Sequence, residues 1–283
     1  MDIGAFMQKL RFGTAGIPLS TKPYNTLNGI ARVRELGLDS MELEFVRNIN
    51  VSKQLAPEVK KLAKEKDVLL SCHASYFINL SSKEAKKREA SKKRVLDAAL
   101  RAYECGAFSV CFHAGFYQGR KANEVYNTVK DALKDIEERL KQKGIKIWIR
   151  PETTGKATQF GTLDEIIALS KELDMVMPCI DFSHMHARSA GKMNSYAEFR
   201  SVLEKLEKEL GKKALKEMHI HVSGIEYNEK GERYHLNLKD SDFKYKELLR
   251  ALKEFNCKGV VISESPNIEE DALLMKKAFA RLK

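Results

Sequence analysis

A chain of 283 residues with 43% apolar side chains can bury one sizeable core, and an α/β barrel runs to about 250 residues. No apolar run approaches the roughly 20 residues of a membrane span, and the opening MDIGAFMQKL lacks the basic-then-apolar order of a secretory leader, so a soluble cytoplasmic protein is expected. The net charge of +11 favours a polyanionic partner such as nucleic acid. Lys- and Glu-rich stretches such as SKEAKKREASKKR (82–94) equally describe solvated helix faces, so charge alone does not decide.

In chain order, the first strand is expected at Leu10 to Gly13, closed by the turn-forming GTAGIP. A helix around Asn25 to Leu36 leads through Gly37 into the strand SMELEF (40–45). The segment APEVKKLAKEKD (56–67) puts Val59, Leu62 and Ala63 on one helical face before the strand VLLSCH (68–73). The segment 82–106 turns apolar at Val95, Leu96, Ala99 and Leu100 and stops at Gly106, ahead of FSVCFH (108–113). Helices near 123–142, 162–173, 195–210 and 244–255 precede the strands IKIWIRPE (145–152), MVMPCID (175–181), EMHIHVS (217–223) and GVVISE (259–264). A final helix runs to Lys283.

Eight strand–helix units without an intervening linker predict a single domain, 1–283, built as a (β/α)8 barrel. A doubly wound open sheet would be expected to carry a phosphate-type G-x-G-x-x-G turn, and the chain has none. Five scattered cysteines (Cys72, Cys105, Cys111, Cys179 and Cys257), none in a C-x-x-C pair, read as reduced and mostly buried thiols.

Six side chains of metal-ligand type fall near the ends of six different predicted strands: His73, His113, Glu152, Asp181, His221 and Glu264. In a closed parallel barrel all strands end at one face, so the six should converge on one mouth. Imidazole and carboxylate together suit a divalent transition metal such as zinc. A lone strand histidine is more often a hydrogen-bonded core residue, and a lone glutamate can cap a helix; six such groups at corresponding positions favour a metal site. His219 alternates onto the same strand face as His221 and should lie one layer deeper, which makes His221 the preferred ligand. His186 is an alternative contact for phosphate.

The ordered anchors HASYFINL (73–80), FHAG (112–115), PETTGK (151–156), DFSHMHA (181–187), HVSG (221–224) and ESPN (264–267) resemble the endonuclease IV family of apurinic/apyrimidinic endonucleases, over roughly residues 70 to 270. That resemblance implies a zinc-dependent TIM barrel that hydrolyses DNA at abasic sites in base-excision repair, by a zinc-bound hydroxide, with the metal site at the C-terminal face of the strands. It implies that His73 and His113 ligate a first zinc, that Glu152 bridges to a second completed by Asp181, His221 and Glu264, and that His184 helps bind a third. Glu152 and Glu264 are the implied catalytic carboxylates.

The chain departs from the family pattern in four places, the first being the opening strand RFGTAG, which lacks the family's usual N-terminal pattern. His-Ala-Gly stands where the family has His-Pro-Gly, and Ser223 and Gly224 follow the seventh-strand histidine instead of Asn and Asp. The family's Asp-x-His pair for the third zinc has as its nearest counterpart Glu232 and His235, one residue further apart. Two zincs are therefore expected, with the third left open and manganese as the alternative metal.

Tyr76, Asn79, Tyr117, Arg120, Lys156, Arg188 and Arg233, with Phe77 and Phe116, lie just beyond the ligand-bearing strands. They form a candidate DNA surface, with ordinary loop packing as the alternative for each. The expected partner is DNA containing abasic sites, with no membrane and no obligate protein partner. Two other functions compete. Glu152, Asp181, His221 and Glu264 alone also resemble the single-metal site of a sugar isomerase or epimerase of the xylose-isomerase-like class, which needs neither the further histidines nor the basic excess. A barrel that binds damaged nucleic acid without cutting it would not need bridged metals.

Overall fold

The computed structural model describes residues 8–282. The N-terminal segment read above lies largely outside them, as does the expected helix end at Lys283.

Eight parallel strands form one sheet: β1 Leu10–Ala15, β2 Ser40–Glu44, β3 Leu69–His73, β4 Ser109–Phe112, β5 Trp148–Pro151, β6 Cys179–Asp181, β7 Met218–Val222 and β8 Gly259–Ser263. Chain neighbours pair from β1 to β5 and from β6 to β8, and β8 returns to β1 with Leu10 opposite Gly259. The remaining seam, between β5 and β6, is held by two single parallel bridges, Ile149 with Val176 and Glu152 with Cys179. The barrel is thus closed, but weakly there.

β5 and β6 are shorter than the apolar runs 145–152 and 175–181 suggest. Pro178 has no N–H to donate and stands immediately before β6, so regular pairing begins only at Cys179. The outer ring follows the sequence pattern closely. The helix Ala85–Glu104 buries Val95, Leu96 and Ala99, and Gly106 just beyond it has φ +82°, a conformation that stops a helix cheaply only with glycine. The helix Leu163–Glu172 starts from a reciprocal capping box between Thr162 and Glu165. Among the described residues, no helix is long and apolar enough to cross a membrane.

Inside the barrel, Leu69, Phe108, Val260 and Ile262 form a small apolar plug. Above it the interior face carries Ser71 and His73 on β3, Ser109 and Cys111 on β4 and His219 and His221 on β7, each pair two residues apart as strand alternation requires. The layer above the plug is therefore polar, whereas barrels of this architecture usually fill it with branched aliphatic side chains.

Two elements at the mouth were not foreseen. The segment after β6 is a helix, Phe182–Arg188, whose N-cap is Asp181 itself: one carboxylate oxygen accepts the backbone N–H of His184 at 2.6 Å. The long polar segment after β7 is a β-hairpin of Gly224–Asn228 with Gly231–Leu236.

Candidate metal centre

Glu152 stands just past β5, buried, with its two carboxylate oxygens turned to different neighbours. Oε2 lies 3.2 Å from His73 Nε2 and 3.5 Å from His113 Nε2. Oε1 lies 3.2 Å from His221 Nδ1 and 3.2 Å from His184 Nδ1. Beyond this hub, His221 Nδ1 is 3.4 Å from Glu264 Oε1, and His184 Nδ1 is 3.2 Å from Asp181 Oδ2. On its far side, His184 Nε2 reaches 3.6 Å from Glu232 Oε2 and 3.5 Å from His235 Nε2. The donors fall into three groups, in each of which one ligand atom per residue lies within 4.8 Å of the others: His73, His113 and Glu152; Glu152, Asp181, His221 and Glu264; His184, Glu232 and His235.

The spacing of these donors is compatible with ion ligation. Donors about 2.0–2.2 Å from a tetrahedral ion stand about 3.3–3.6 Å from one another, and the separations above are 3.2–3.6 Å. Glu152 Oε2, Asp181 Oδ2 and Glu264 Oε2 are buried, and none makes a hydrogen bond of acceptable geometry to the protein. A buried carboxylate oxygen without a partner is costly unless a cation satisfies it.

The same groups shift one another's ionisation strongly. Burial opposes ionisation of Glu152, yet His113 and His221 hold its carboxyl well below the usual range. Burial likewise opposes charging His73, but the Glu152 carboxylate outweighs it and pushes the imidazole up to about 10. His184 is raised well above its ordinary value, against burial, by Asp181 and Glu152. Any cation that bound among these groups would have to displace protons from the imidazoles.

The altered spacing of Glu232 and His235 has a local cause. In the hairpin, Ile225 pairs with His235 and Glu226 with Tyr234, but Tyr227 pairs with Glu232, so Arg233 is an extra, unpaired residue. A bulge of this kind resets strand alternation, and two residues three apart then share a face as residues two apart do in a regular strand. Glu232 and His235 both face His184 for that reason. The glycine of His-Ala-Gly is also required, since a Cβ on Gly115 would meet Ser81 Oγ at 2.4 Å.

The candidate nucleic-acid residues divide by exposure. Tyr76 and Phe77 are 61% and 66% exposed at the mouth, with the Tyr76 ring 5.4 Å from the His73 ring. Arg233 is exposed beside Tyr234 on the hairpin, Phe116 is exposed, and Lys156 is half-buried. The others are engaged within the protein. Asn79 Oδ1 accepts from Ser81, Tyr117 donates to Glu165 at 2.7 Å, and Arg120 donates to the Ser81 carbonyl. One Arg188 nitrogen meets the carbonyls of Thr154, Lys156 and Gln159 and the Thr154 hydroxyl. His186 is fully buried between Met193 O and Asp242, which rules out the phosphate contact.

Two acidic residues at the site escaped the sequence reading. Glu42 and Glu44 on β2 point into the barrel, where Glu42 lies 2.9 Å from His221 Nε2 and 2.8 Å from His219 Nε2. Burial opposes its ionisation, but His221 and His219 hold the Glu42 carboxyl well below the usual range. Burial and the Glu42 charge push the Glu44 carboxyl up to about 8. The alternation SMELE was the available signal, since it puts both glutamates on one strand face.

A parallel barrel whose strand ends gather imidazoles and carboxylates at one mouth offers candidate groups of metal ligands. The chain belongs to the xylose isomerase-like TIM barrel family, which it matches over residues 30–283. An uncharacterised protein of Methanocaldococcus jannaschii is 43% identical over 96% of this chain and 98% of its own length. A probable endonuclease 4 of Persephonella marina is 28% identical over 72% of this chain and 74% of its own. Among solved structures, endonuclease IV from Thermus thermophilus superposes with a TM-score of 0.71 at 21% identity, covering 94% and 97% of the two chains. A D-tagatose 3-epimerase-like protein superposes nearly as well, at 0.69 and 20% identity over 94% and 96%. At such identities the superpositions carry the fold and do not choose between the two chemistries.

Proposed function

We propose that this protein is a metal-dependent endonuclease that hydrolyses the phosphodiester backbone of DNA at abasic sites. One observation carries the reading: Glu152 divides its two oxygens between the His73–His113 pair and the His221–His184 side. A sugar epimerase of this architecture needs only the group Glu152, Asp181, His221 and Glu264. Here two further donor groups flank it, which suits the several negative charges of a phosphodiester under attack. Sequence similarity to probable endonuclease 4 and the net charge of +11 support the same reading.

The donor sets fit zinc, with nitrogen and oxygen ligands in groups of three and four. Zinc bound there supplies the positive charge that activates water at neutral pH and offsets charge developing on the phosphate. The chain's own residues do the rest. His73, His113 and Glu152 would hold one ion, Asp181, His221 and Glu264 a second with Glu152 shared, and His184, Glu232 and His235 a third. Asp181 also caps the helix that presents His184, so the second and third groups are fixed to one another. Tyr76 and Phe77 offer exposed rings that can fill the gap left by a missing base, and Arg233 and Lys156 can meet phosphates on either side.

Metal analysis of purified protein, combined with a cleavage assay on an abasic duplex, tests the proposal. Two or three zincs with incision support it. A single metal with turnover of a keto-sugar and no incision would replace it with the epimerase reading.

A further inference from the structure

One layer below the mouth, five donor groups meet inside the barrel, all but free of solvent. Cys111 on β4, Cys179 on β6, and His219 and His221 on β7 offer ligand atoms that all lie within 4.8 Å of one another. His219 Nε2 and His221 Nε2 face each other at 3.2 Å, and Cys111 Sγ is 3.8 Å from His221 Nε2. Glu42 stands beside both rings, with Oε2 2.8 Å from His219 and Oε1 2.9 Å from His221. His219 is held in place from behind by the Ser109 hydroxyl at 2.9 Å from Nδ1.

We propose that this cluster is a separate metal site, made by Cys111, Cys179, His219 and the Nε2 edge of His221, for a thiophilic divalent cation of the zinc class. Around a tetrahedral zinc with bonds of about 2.0–2.1 Å to nitrogen and 2.3 Å to sulfur, two nitrogens stand about 3.3–3.4 Å apart and nitrogen and sulfur about 3.5–3.6 Å. The observed 3.2 and 3.8 Å lie within a few tenths of an ångström of those edges. Two thiolates also neutralise a divalent ion, and Glu42, which would lose the two Nε2–H groups it now faces, would take up one of the protons released by the thiols while the rest pass to solvent, so that no net charge is left buried. The donor set differs in kind from the mouth, where every group is imidazole or carboxylate.

His221 links the two levels. Its Nδ1 faces Glu152 and Glu264 above, and its Nε2 faces Glu42, His219 and Cys111 below. With ions at both levels the His221 ring would be an imidazolate, its ring proton released to solvent, and an ion in the lower site would fix the tilt of that ring and hence the position of the ligand atom it presents to the mouth. The lower site would act as a metal staple beneath the upper one.

Cobalt substitution reads sulfur ligation directly and does not depend on any activity. Metal-stripped full-length protein titrated anaerobically with Co2+ should develop an intense thiolate-to-metal charge-transfer band in the near ultraviolet, of an amplitude expected for one ion with two thiolate ligands once all sites are filled. The double variant Cys111→Ser/Cys179→Ser should lose the band and one equivalent of bound metal, while keeping the weaker visible bands of cobalt at the nitrogen and oxygen sites. Cobalt uptake by the parent protein with visible bands and no sulfur band would overturn the proposal. The cluster would then be a hydrogen-bond network in which Glu42 accepts from His219 and His221. Should the double variant fail to fold, the spectrum of the parent protein decides alone. Because the readout is sulfur ligation, loss of this inference leaves the endonuclease proposal standing, and the reverse holds.

Discussion

His184 Nε2 and His235 Nε2 stand 3.5 Å apart, brought together from a short helix after β6 and a hairpin after β7. Neither imidazole turns to solvent: His184 is buried, and His235 also has Nδ1 3.1 Å from the Glu264 carbonyl oxygen. With Glu232 they make the outermost donor group, and of the two histidines only His184 also touches the inner carboxylates Glu152 and Asp181. His235→Ala is expected to lower bound zinc by one equivalent and leave the other ions in place. Metal content measured by mass spectrometry on the dialysed variant checks this, and an unchanged content would remove the hairpin from the metal centre.

Glu152→Gln keeps the side chain's shape and removes the charge shared between two donor groups. Replacing a group that merely orients a metal ligand already costs about 10–100-fold in affinity or activity. Loss of a bridging ligand should therefore exceed about 100-fold in cleavage of an abasic duplex, with a fall in metal content. Activity within a few-fold of the parent at full metal occupancy would exclude Glu152 as the bridge.

Tyr76 is exposed next to His73 without being one of the donors, so its contribution can be separated from metal binding. An aromatic platform under a base contributes about 1–3 kcal/mol, or roughly 5- to 150-fold in affinity. Tyr76→Ala should weaken binding of abasic duplex by an amount in that range while metal content stays at the parental level. Unaltered affinity would show that the ring does not meet the nucleic acid.

Away from the site, Asp39 at the foot of β2 gathers three cations: Lys276 and Lys9 as hydrogen-bonded partners and Arg34 at 3.4 Å. Burial opposes its ionisation, but Lys276 and Lys9 pull the carboxyl below its ordinary value of 3.8. A carboxyl depressed on folding stabilises the protein fully above its unfolded value, and that contribution is lost as the pH falls through the folded one. Asp39→Asn should cost about 1.5–3 kcal/mol at neutral pH, the range for a hydrogen bond to a charged group. The difference from the parent should shrink below about pH 4. Denaturation at pH 7 and pH 3 measures both, and an equal difference at the two values would refute this account of Asp39.

Much of the barrel and most of the mouth donors are legible in the sequence because their signals are local. Each of His73, His113, Glu152, Asp181, His221 and Glu264 comes at the end of an apolar run. An apolar run ending in a ligand-type residue is a strand delivering a side chain to one face, whichever strands turn out to be its neighbours. The helix ends at Gly106 and Thr162 follow equally from residues within one turn of them.

Tertiary structure decided the rest. Whether Glu42 and Glu44 face water or the interior depends on which side of β2 the barrel closes, and alternation within five residues is the same for both outcomes. The bulge at Arg233 arises from the pairing of two hairpin strands, so the spacing of Glu232 and His235 looks like a defect until the partner strand is in place. Cys111, Cys179 and His219 read singly as buried core residues. Only closure of the sheet, which sets β4, β6 and β7 around one axis, turns three residues more than a hundred positions apart at the extremes into a single cluster with Glu42 and His221.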